Sequence, residues 1–387
     1  MPLIQTEYII SPYSDGKWIL EISGDYFIIN TDAKKLLEIL SSSKDYQEAY
    51  HVFNADFQNT DLNEKKFIHF TEALFAGIPI FNSSQKKRNT KGFLNFQKTL
   101  LSSGQAGQIA NYILFFFNKV FFWITFPLLC LSGFLIIFKA PVSYQNISPL
   151  WIFIFYSVSI FIHELGHIAA CKKYTQQNGE IGFGIYFLFP VLYSNISAIW
   201  HGSKQERIIT NLAGIYMQLW CMLCFFIIYW LTENDTALFL SYFTALYCMI
   251  QVFPFIRSDG YWLLSDITST SNLLEKSGAE VKAFIQNPFQ WIQQKREKKV
   301  FLLIYGIFNT LILTYFIVFQ VLFYWKEILY FPIALWNIGK LVLTLQFTYI
   351  SIPEHFIITA VFYLVLFNMV KNLSSTIFKF LSKKETA

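Results

Sequence analysis

Two histidines and a glutamate lie close together in residues 160–174, IFIHELGHIAACKKY. Residues four apart on a helix share a face, so His163 and His167 present two imidazoles to one point. Two neutral imidazoles bind a divalent metal such as Zn²⁺ but leave it short of ligands. Glu164 follows the first histidine and is suited to take a proton from a water molecule at the metal rather than to bind the metal. The pattern predicts a catalytic metal site.

The apolar surroundings of this motif favour the metal interpretation. An ionisable side chain in a membrane helix costs about 3 kcal/mol or more, so it is retained for a reason. Here three ionisable groups occupy about one and a half helical turns. The alternative is a pair of histidines that are satisfied by hydrogen bonds in a polar contact between helices.

A catalytic zinc site usually has three protein ligands and one open position. We expect the third ligand to be Asp259, in the stretch FPFIRSDGYWLLSD. Pro254 can end the preceding helix, and Gly260 gives the backbone freedom to turn the carboxylate inward. The alternative is a surface aspartate at a helix end. The rival ligands are Asp266 and His201.

The composition is typical of a membrane protein. Of the 387 residues, 54% are hydrophobic and 14% are charged, whereas soluble domains carry about 25% charged residues. The net charge of +5 comes from Lys and Arg clusters beside apolar segments, which favours contact with anionic lipid over nucleic-acid binding. The five cysteines lie in or beside apolar segments and lack the paired spacing of a zinc ribbon.

Apolar runs predict the membrane-spanning helices. The expected spans are 113–138, 149–170, 207–231, 236–256, 300–325 and 356–370. A span at 328–347 would put the basic C-terminal tail outside, so we expect that segment to be re-entrant or interfacial. A basic cluster before the first span predicts a cytoplasmic N-terminus. The predicted fold is a polytopic α-helical membrane protein of about six transmembrane helices with a small α+β N-terminal cytoplasmic domain.

The same pattern divides the chain into five regions. They are a cytoplasmic winged-helix-like domain (1–80), a basic linker (81–110), a membrane core with the histidine motif (111–270), a cytoplasmic loop (271–299), and the last membrane helices with a basic tail (300–387).

Residues 1–80 are predicted to form a hairpin and three short helices. GKWILEIS and DYFIIN are the expected strands, with Gly24 and Asp25 at the turn. The first helix, TDAKKLLEILSSS, should be capped by Thr31 or Asp32. Its expected apolar stripe is Leu36, Leu37, Ile39 and Leu40.

The segment IGFGIYFLFPVLYSNI (181–196) is apolar but too short to span regularly. We expect a re-entrant hairpin that offers a strand edge to a substrate, and the alternative is a loop packed on the helices. The expected substrate contacts are Gly182, Tyr186 and Asn195 here, and Phe253 and Pro254 near the third ligand.

HELGH inside a span, followed about ninety residues later by Asp-Gly at the end of another, resembles the site-2 protease type of intramembrane zinc metalloproteases. EIGFGIYFLFPVLYSNISAIW, RIITNLAGIYMQ and PFIRSDGYWLLSDI resemble the peptide zinc metalloprotease branch, which occurs in operons that make modified peptides. The resemblance covers about residues 150–270. It implies one Zn²⁺ held by His163, His167 and Asp259, with Glu164 as the catalytic base.

The sequence departs from this family at several positions. The family commonly has Asn-Pro before its Asp-Gly, with the asparagine on the substrate backbone, and here the pair is Phe253-Pro254. The branch often has acidic residues where Asn195 and Ala198 stand, and a proline in place of Ile215. The ligand set is intact, so the departures bear on substrate contacts more than on the metal.

The N-terminal region has a second resemblance. The hairpin that leads into TDAKKLLEIL is similar to small winged-helix domains of the PqqD type, which capture leader peptides by adding a strand to a sheet edge. The alternative is a generic cytoplasmic adaptor.

The expected function is zinc-dependent hydrolysis of a peptide bond in a membrane-associated or ribosomally made, modified peptide. The expected location is the bacterial cytoplasmic membrane, and the expected partners are the peptide or membrane-anchored protein substrate, the lipid bilayer and a peptide exporter. The alternatives are a transporter or export component and an inactive metal-binding adaptor that holds a peptide for an exporter.

Overall fold

The structure is a computed structural model that describes residues 4, 7–13, 16–22, 25–57, 62–75, 78, 80, 96–140, 147–186, 189–254, 258–294, 296–344, 353, 355–356, 358–367 and 369–370. It is 76% helical, and five of the described helices are long and apolar enough to cross a membrane. The chain forms two compact units, residues 1–271 and 272–387.

The first unit begins with a small α+β head. Its elements are β1 (Tyr8–Pro12), β2 (Lys17–Ile22), β3 (Asp25–Asn30), α1 (Thr31–Ser42), α2 (Tyr46–Phe57) and α3 (Glu64–Leu74). The strands form an antiparallel sheet in the order β1-β2-β3. The predicted hairpin is β2 and β3, whereas β1 was not predicted because it is short and ends in Ser-Pro. Gly24 of the predicted turn lies outside the described residues.

The first helix of the head follows the predicted apolar pattern. Leu36, Leu37 and Leu40 are buried against β2 and β3 in the head's core. The predicted cap is wrong: the side chain of Asn30 accepts from the backbone N–H of Ala33 at 2.8 Å. An asparagine side chain caps as well as Thr or Asp, so composition alone left the helix start uncertain by one residue.

The rest of the first unit is mostly helical. Its elements are β4 (Phe96–Leu101), α4 (Ser103–Ala110), a 3₁₀ helix (Asn111–Phe117), α5 (Lys119–Lys139), α6 (Pro149–Thr175), β5 (Glu180–Tyr186), β6 (Phe189–Asn195), a second 3₁₀ helix (Ser197–His201), α7 (Lys204–Thr232), α8 (Asp235–Val252) and α9 (Asp259–Ile267). The predicted linker 81–110 is therefore wrong for its described part, since β4 and α4 occupy 96–101 and 103–110.

The second sheet has the order β4-β5-β6, with both pairs antiparallel. The strand pairing predicted for 181–196 is confirmed by β5 and β6, although residues 187–188 lie outside the described residues. That this hairpin is re-entrant stays a prediction. Because β6 is last in the order, one of its edges pairs with no other strand among the residues that the structure describes.

The second unit is helical over its described residues. Its elements are α10 (Leu273–Gln286), α11 (Pro288–Gln293), α12 (Glu297–Phe323), α13 (Trp325–Leu343) and a further apolar helix, Ile358–Phe367. The predicted cytoplasmic loop 271–299 contains two helices that were not predicted, α10 and α11. They are tied by the Trp291 indole, which donates to Glu280 at 2.7 Å. The segment 328–347, which we expected to be re-entrant or interfacial, lies in the continuous helix α13 as far as residue 343.

Five helices, rather than the predicted six, meet the length and apolarity expected of a membrane span among the described residues. They are α5, α6, α7, α8 and α12. The sixth expected span, 356–370, is represented by the shorter helix Ile358–Phe367. Large apolar side chains on α5, such as Leu128, Leu131 and Phe134, are more than half exposed, at 58%, 56% and 52%. Outward apolar surface of this kind is characteristic of helices that contact lipid.

The contact between α6 and α7 forms the centre of the first unit. Gly166 of α6 faces α7 so closely that a Cβ atom there would lie 2.6 Å from the carbonyl oxygen of Ala213 and 2.7 Å from Cγ of Met217. Only a residue without a side chain permits this approach. Buried residues from both helices, including Ile168 and Ile215, continue the contact along the core.

We predict that Gly166→Ala lowers the free energy of unfolding by about 1–3 kcal/mol, because the added methyl group overpacks the α6–α7 contact. The measurement is thermal and chemical unfolding of the purified protein. Gly104→Ala in α4 is the control, since a Cβ at Gly104 meets nothing within 4 Å. Equal stability of the two variants would contradict the close α6–α7 approach.

Candidate metal centre

The three residues predicted as ligands lie together in the structure. The Nε2 atoms of His163 and His167 are 3.1 Å apart. The Oδ2 atom of Asp259 is 3.3 Å from Nε2 of His163 and 3.4 Å from Nε2 of His167. One ligand atom from each residue therefore points to a common position that can hold a metal ion.

Helix α7 fixes the orientation of both imidazoles. The Nδ1 atom of His167 lies 2.7 Å from the backbone oxygen of Thr210, and Nδ1 of His163 lies 3.1 Å from Oε1 of Gln218. Carbonyl oxygens only accept, so each Nδ1 carries the proton and donates it. This leaves the lone pair of each Nε2 free to bind a metal.

Gly214 of α7 lies directly against the two imidazole rings. A Cβ atom at this position would overlap Nε2 of His167 and come within 2.5 Å of Cε1 of His163. The glycine thus keeps the space beside both Nε2 atoms free of a side chain.

Asp259 is positioned by the start of α9. The hydroxyl of Ser258 donates to the carbonyl oxygen of Phe253 at 2.7 Å, and Ser258 also caps α9. A Cβ at Gly260 would overlap the backbone oxygen of Val252, so Gly260 lets α9 pack on the end of α8. Gly260 was expected to give the backbone freedom; its observed role is this close packing.

The Asp259 side chain is mostly buried, with 18% of its surface exposed, and its Oδ2 is buried with no hydrogen-bond partner among the described residues. An ionised oxygen that is buried without a donor needs a cation. The group therefore fits a metal ligand.

The two rival ligands have other partners. Asp266 accepts from Nε of Arg207 at 2.7 Å and from the amide of Asn211 at 2.7 Å. His201 joins the head to the second 3₁₀ helix, with Nδ1 2.6 Å from the Ser11 hydroxyl and Nε2 2.7 Å from Glu21. Neither side chain belongs to the ligand cluster.

Arg207 connects α7 to α9 through Asp266. The guanidinium is fully buried, and its Nη1 also donates to the backbone oxygen of Gly202 at 2.8 Å. Burial raises the pKa of the Asp266 carboxyl, and Arg207 and Asn211 oppose that effect. Since α9 begins at Asp259, this buried ion pair fixes the helix that carries the third ligand.

Glu164 lies at a cavity of about 680 Å³. His167, Asp259 and residues of β6 line the same cavity. Ser194 lies near the Glu164 carboxylate, and both residues line the cavity. The base candidate therefore faces open space beside the ligand cluster.

The five predicted substrate contacts differ in where they lie relative to the cavity. Asn195 lines the cavity, and its Oδ1 accepts from the Ser197 hydroxyl at 2.9 Å. Gly182 lies under the ring of Tyr193. Tyr186 ends β5, and only its backbone is described. Phe253 and Pro254 are not among the described residues that line the cavity.

Three polar residues of α7 were not assigned a role from the sequence. Arg207, Asn211 and Gln218 all contact the ligand residues or their support. Their spacings of four and seven place them on one face of an otherwise apolar helix. Polar residues on one face of an apolar, membrane-like helix were the sequence feature that could have indicated a role for these three side chains.

The assembled site contains two imidazoles, a carboxylate ligand and a second carboxylate at the wall of a cavity. Such a set can bind a divalent metal and move a proton beside it. No protein-family model, no curated protein and no solved structure matches the chain.

We predict that Asp266→Asn destabilises the protein by about 3 kcal/mol or more, because it leaves the buried Arg207 charge without its partner. The affinity for zinc should fall as well, since α9 loses its anchor to α7. Chemical unfolding and competition with a chelator measure the two effects. Asp56→Asn on the exposed surface of α2 is the control, and matching behaviour of the two variants would argue against the anchoring role of Asp266.

Proposed function

We propose that the chain is an integral membrane zinc protease of the site-2 protease type that hydrolyses peptide bonds. The observation that carries the proposal is the convergence of His163, His167 and Asp259 beside Glu164 at the wall of one cavity.

The donor set and its spacing support zinc. Ligand atoms bound tetrahedrally to zinc at 2.0–2.2 Å lie about 3.4 Å apart. The three separations in the cluster are 3.1, 3.3 and 3.4 Å. Two imidazoles and one carboxylate also suit iron, so the identity of the metal is a matter for metal analysis.

The chain's own residues would divide the chemistry among them. A bound zinc ion supplies Lewis-acid chemistry, which activates water and polarises a carbonyl group. Glu164 takes the proton of the attacking water and returns it to the leaving amine. Thr210 and Gln218 keep both imidazoles in the tautomer that binds metal.

The edge of β6 offers a binding mode for the substrate. A helical substrate hides its backbone carbonyls in hydrogen bonds, so the segment to be cut must become extended. The unpaired edge of β6 can pair with an extended peptide, and Ser194 on that strand is within reach of Glu164. Pairing there would deliver the peptide backbone to the ligand cluster.

The apolar helices support a position in a bilayer, and the basic residues before α5 favour a cytoplasmic N-terminus. We infer a bacterial cytoplasmic membrane protein that acts on a membrane-associated or ribosomally made, modified peptide. The head, with its three-stranded sheet, would capture a leader peptide in the manner of a PqqD-type domain. A peptide exporter would then be a natural partner.

One observation favours an inactive adaptor as the second candidate. Phe253 stands where the family has its substrate-binding asparagine, and it is 50% exposed and does not line the described cavity. Such a protein would hold metal and peptide without cutting. Transport is less well supported, because the ionisable groups gather at one site rather than along several helices.

We predict that Glu164→Gln lowers the rate of peptide cleavage about 10²–10⁴-fold while the protein keeps its zinc, because the amide cannot accept the proton of the attacking water. Cleavage is measured by mass spectrometry of peptide mixtures incubated with the protein in lipid nanodiscs. Removal of zinc by a chelator should abolish cleavage, and added zinc should restore it.

Glu38→Gln on the exposed surface of the head is the matched control. Peptide binding without cleavage in the zinc-loaded wild type would support the adaptor instead of the protease.

A further inference from the structure

A second carboxylate, Glu180, lies on the wall of the cavity away from the ligand cluster. Glu180 begins β5, and its Cα pairs with that of Asn195 on β6, so the two side chains share one face of the sheet. Tyr193 and Gln97 lie on the same face by strand alternation, and all four residues line the cavity.

The cavity extends round the unpaired edge of β6. Side chains alternate along a strand, so Ser194, which reaches Glu164, points to the face opposite Tyr193 and Asn195. Both sets of residues line the cavity. A peptide along this edge would therefore place alternate side chains on the face that carries Glu180.

Glu180 differs from the other acidic groups of the cavity in its partners. Asp266 is paired with Arg207, and Asp259 faces two imidazoles. Within the part of the chain that the structure describes, Glu180 has no ion-pair partner. Its negative charge is available to a ligand.

An aromatic ring lies beside this carboxylate. The Tyr193 side chain covers Gly182, where a Cβ would come within 2.5 Å of Cε1 of the ring, so the ring lies close to the floor of the sheet. Burial raises the pKa of the Tyr193 phenol, and the nearby charge of Glu180 raises it further. Glu180 pairs with Asn195 and Gly182 with Tyr193, so Glu180 and Tyr193 are diagonal neighbours on one face of the sheet.

A carboxylate next to an aromatic ring is a combination that binds alkylammonium and guanidinium groups. We propose that Glu180 and Tyr193 form a specificity subsite for a Lys or Arg side chain of the peptide substrate. The subsite rests on the proposed function, because it requires a peptide paired with β6.

The spacing of the sheet suits a long cationic side chain. A peptide strand added to β6 lies about 10 Å from β5, which is two strand spacings. The side chain must cross Asn195, a polar residue that lines the cavity, before it meets Glu180. An extended Lys or Arg side chain of the peptide and the side chain of Glu180 together span this distance, whereas a shorter cationic side chain would not reach Glu180.

The test uses zinc-loaded, full-length protein and tetrapeptide hydroxamates, whose hydroxamate group binds zinc. One position at a time carries Lys, Arg, norleucine or Glu, and the dissociation constant of each is measured. We expect Lys and Arg to bind about tenfold tighter than norleucine at one position or at alternate positions, and Glu to bind more weakly. Glu180→Gln should remove the preference, Glu180→Lys should reverse it toward Glu, and Glu38→Gln should leave it unchanged.

The outcomes separate the subsite from the proposed function. Equal binding of Lys and norleucine hydroxamates to the wild type, or a Lys preference that persists in Glu180→Gln, would overturn the subsite and leave the protease proposal standing. Failure of every hydroxamate to bind a zinc-loaded protein would overturn the proposed function and the subsite together.

Discussion

The close approach of α6 and α7 is the contact on which the rest of the site depends. Gly166 and Gly214 remove the side chains that would keep the two helices apart. The approach lets the backbone oxygen of Thr210 and the amide of Gln218 reach the imidazoles of α6. Without those acceptors, neither histidine would have a fixed tautomer, and the two Nε2 atoms would not point to one position.

The buried polar groups of this apolar bundle form hydrogen-bonded clusters rather than isolated pairs. Arg207, Asp266 and Asn211 satisfy one another and tie α9 to α7. Asp259, at the other end of α9, keeps an oxygen without a donor among the described residues. A buried ion pair is weak evidence for stability, but it specifies one arrangement of helices strongly. Here that arrangement places the Asp259 carboxylate opposite the two histidines.

Local sequence signals predicted much of this site. The spacing of His163 and His167, and the Asp-Gly after an apolar run, indicated three side chains that the structure brings together. The hairpin of β5 and β6 and the apolar stripe of α1 also followed from residue pattern. The roles of Gly214 and Gly260 could not be predicted, because a close approach between helices depends on the tertiary packing.

The errors also have physical causes. Strand β4 pairs with β5, which is distant in sequence, so no local pattern in residues 96–101 predicts the strand. The charges of 271–299 suggested a loop, yet Glu275, Lys276, Glu280 and Lys282 lie on the helix α10, which buries Leu273. To decide whether Asp259 or Asp266 is the candidate ligand, one must know which side chains each of them contacts. Arg207, which pairs with Asp266, is distant in sequence from both aspartates.

The most direct test of the central claim is the metal content of purified protein, compared among the wild type, Glu164→Gln and His163→Ala. We predict about one zinc ion per chain in the wild type and in Glu164→Gln, and loss of zinc in His163→Ala. A folded wild type that holds no transition metal after zinc is offered, or a His163→Ala variant that retains zinc fully, would contradict the metal centre.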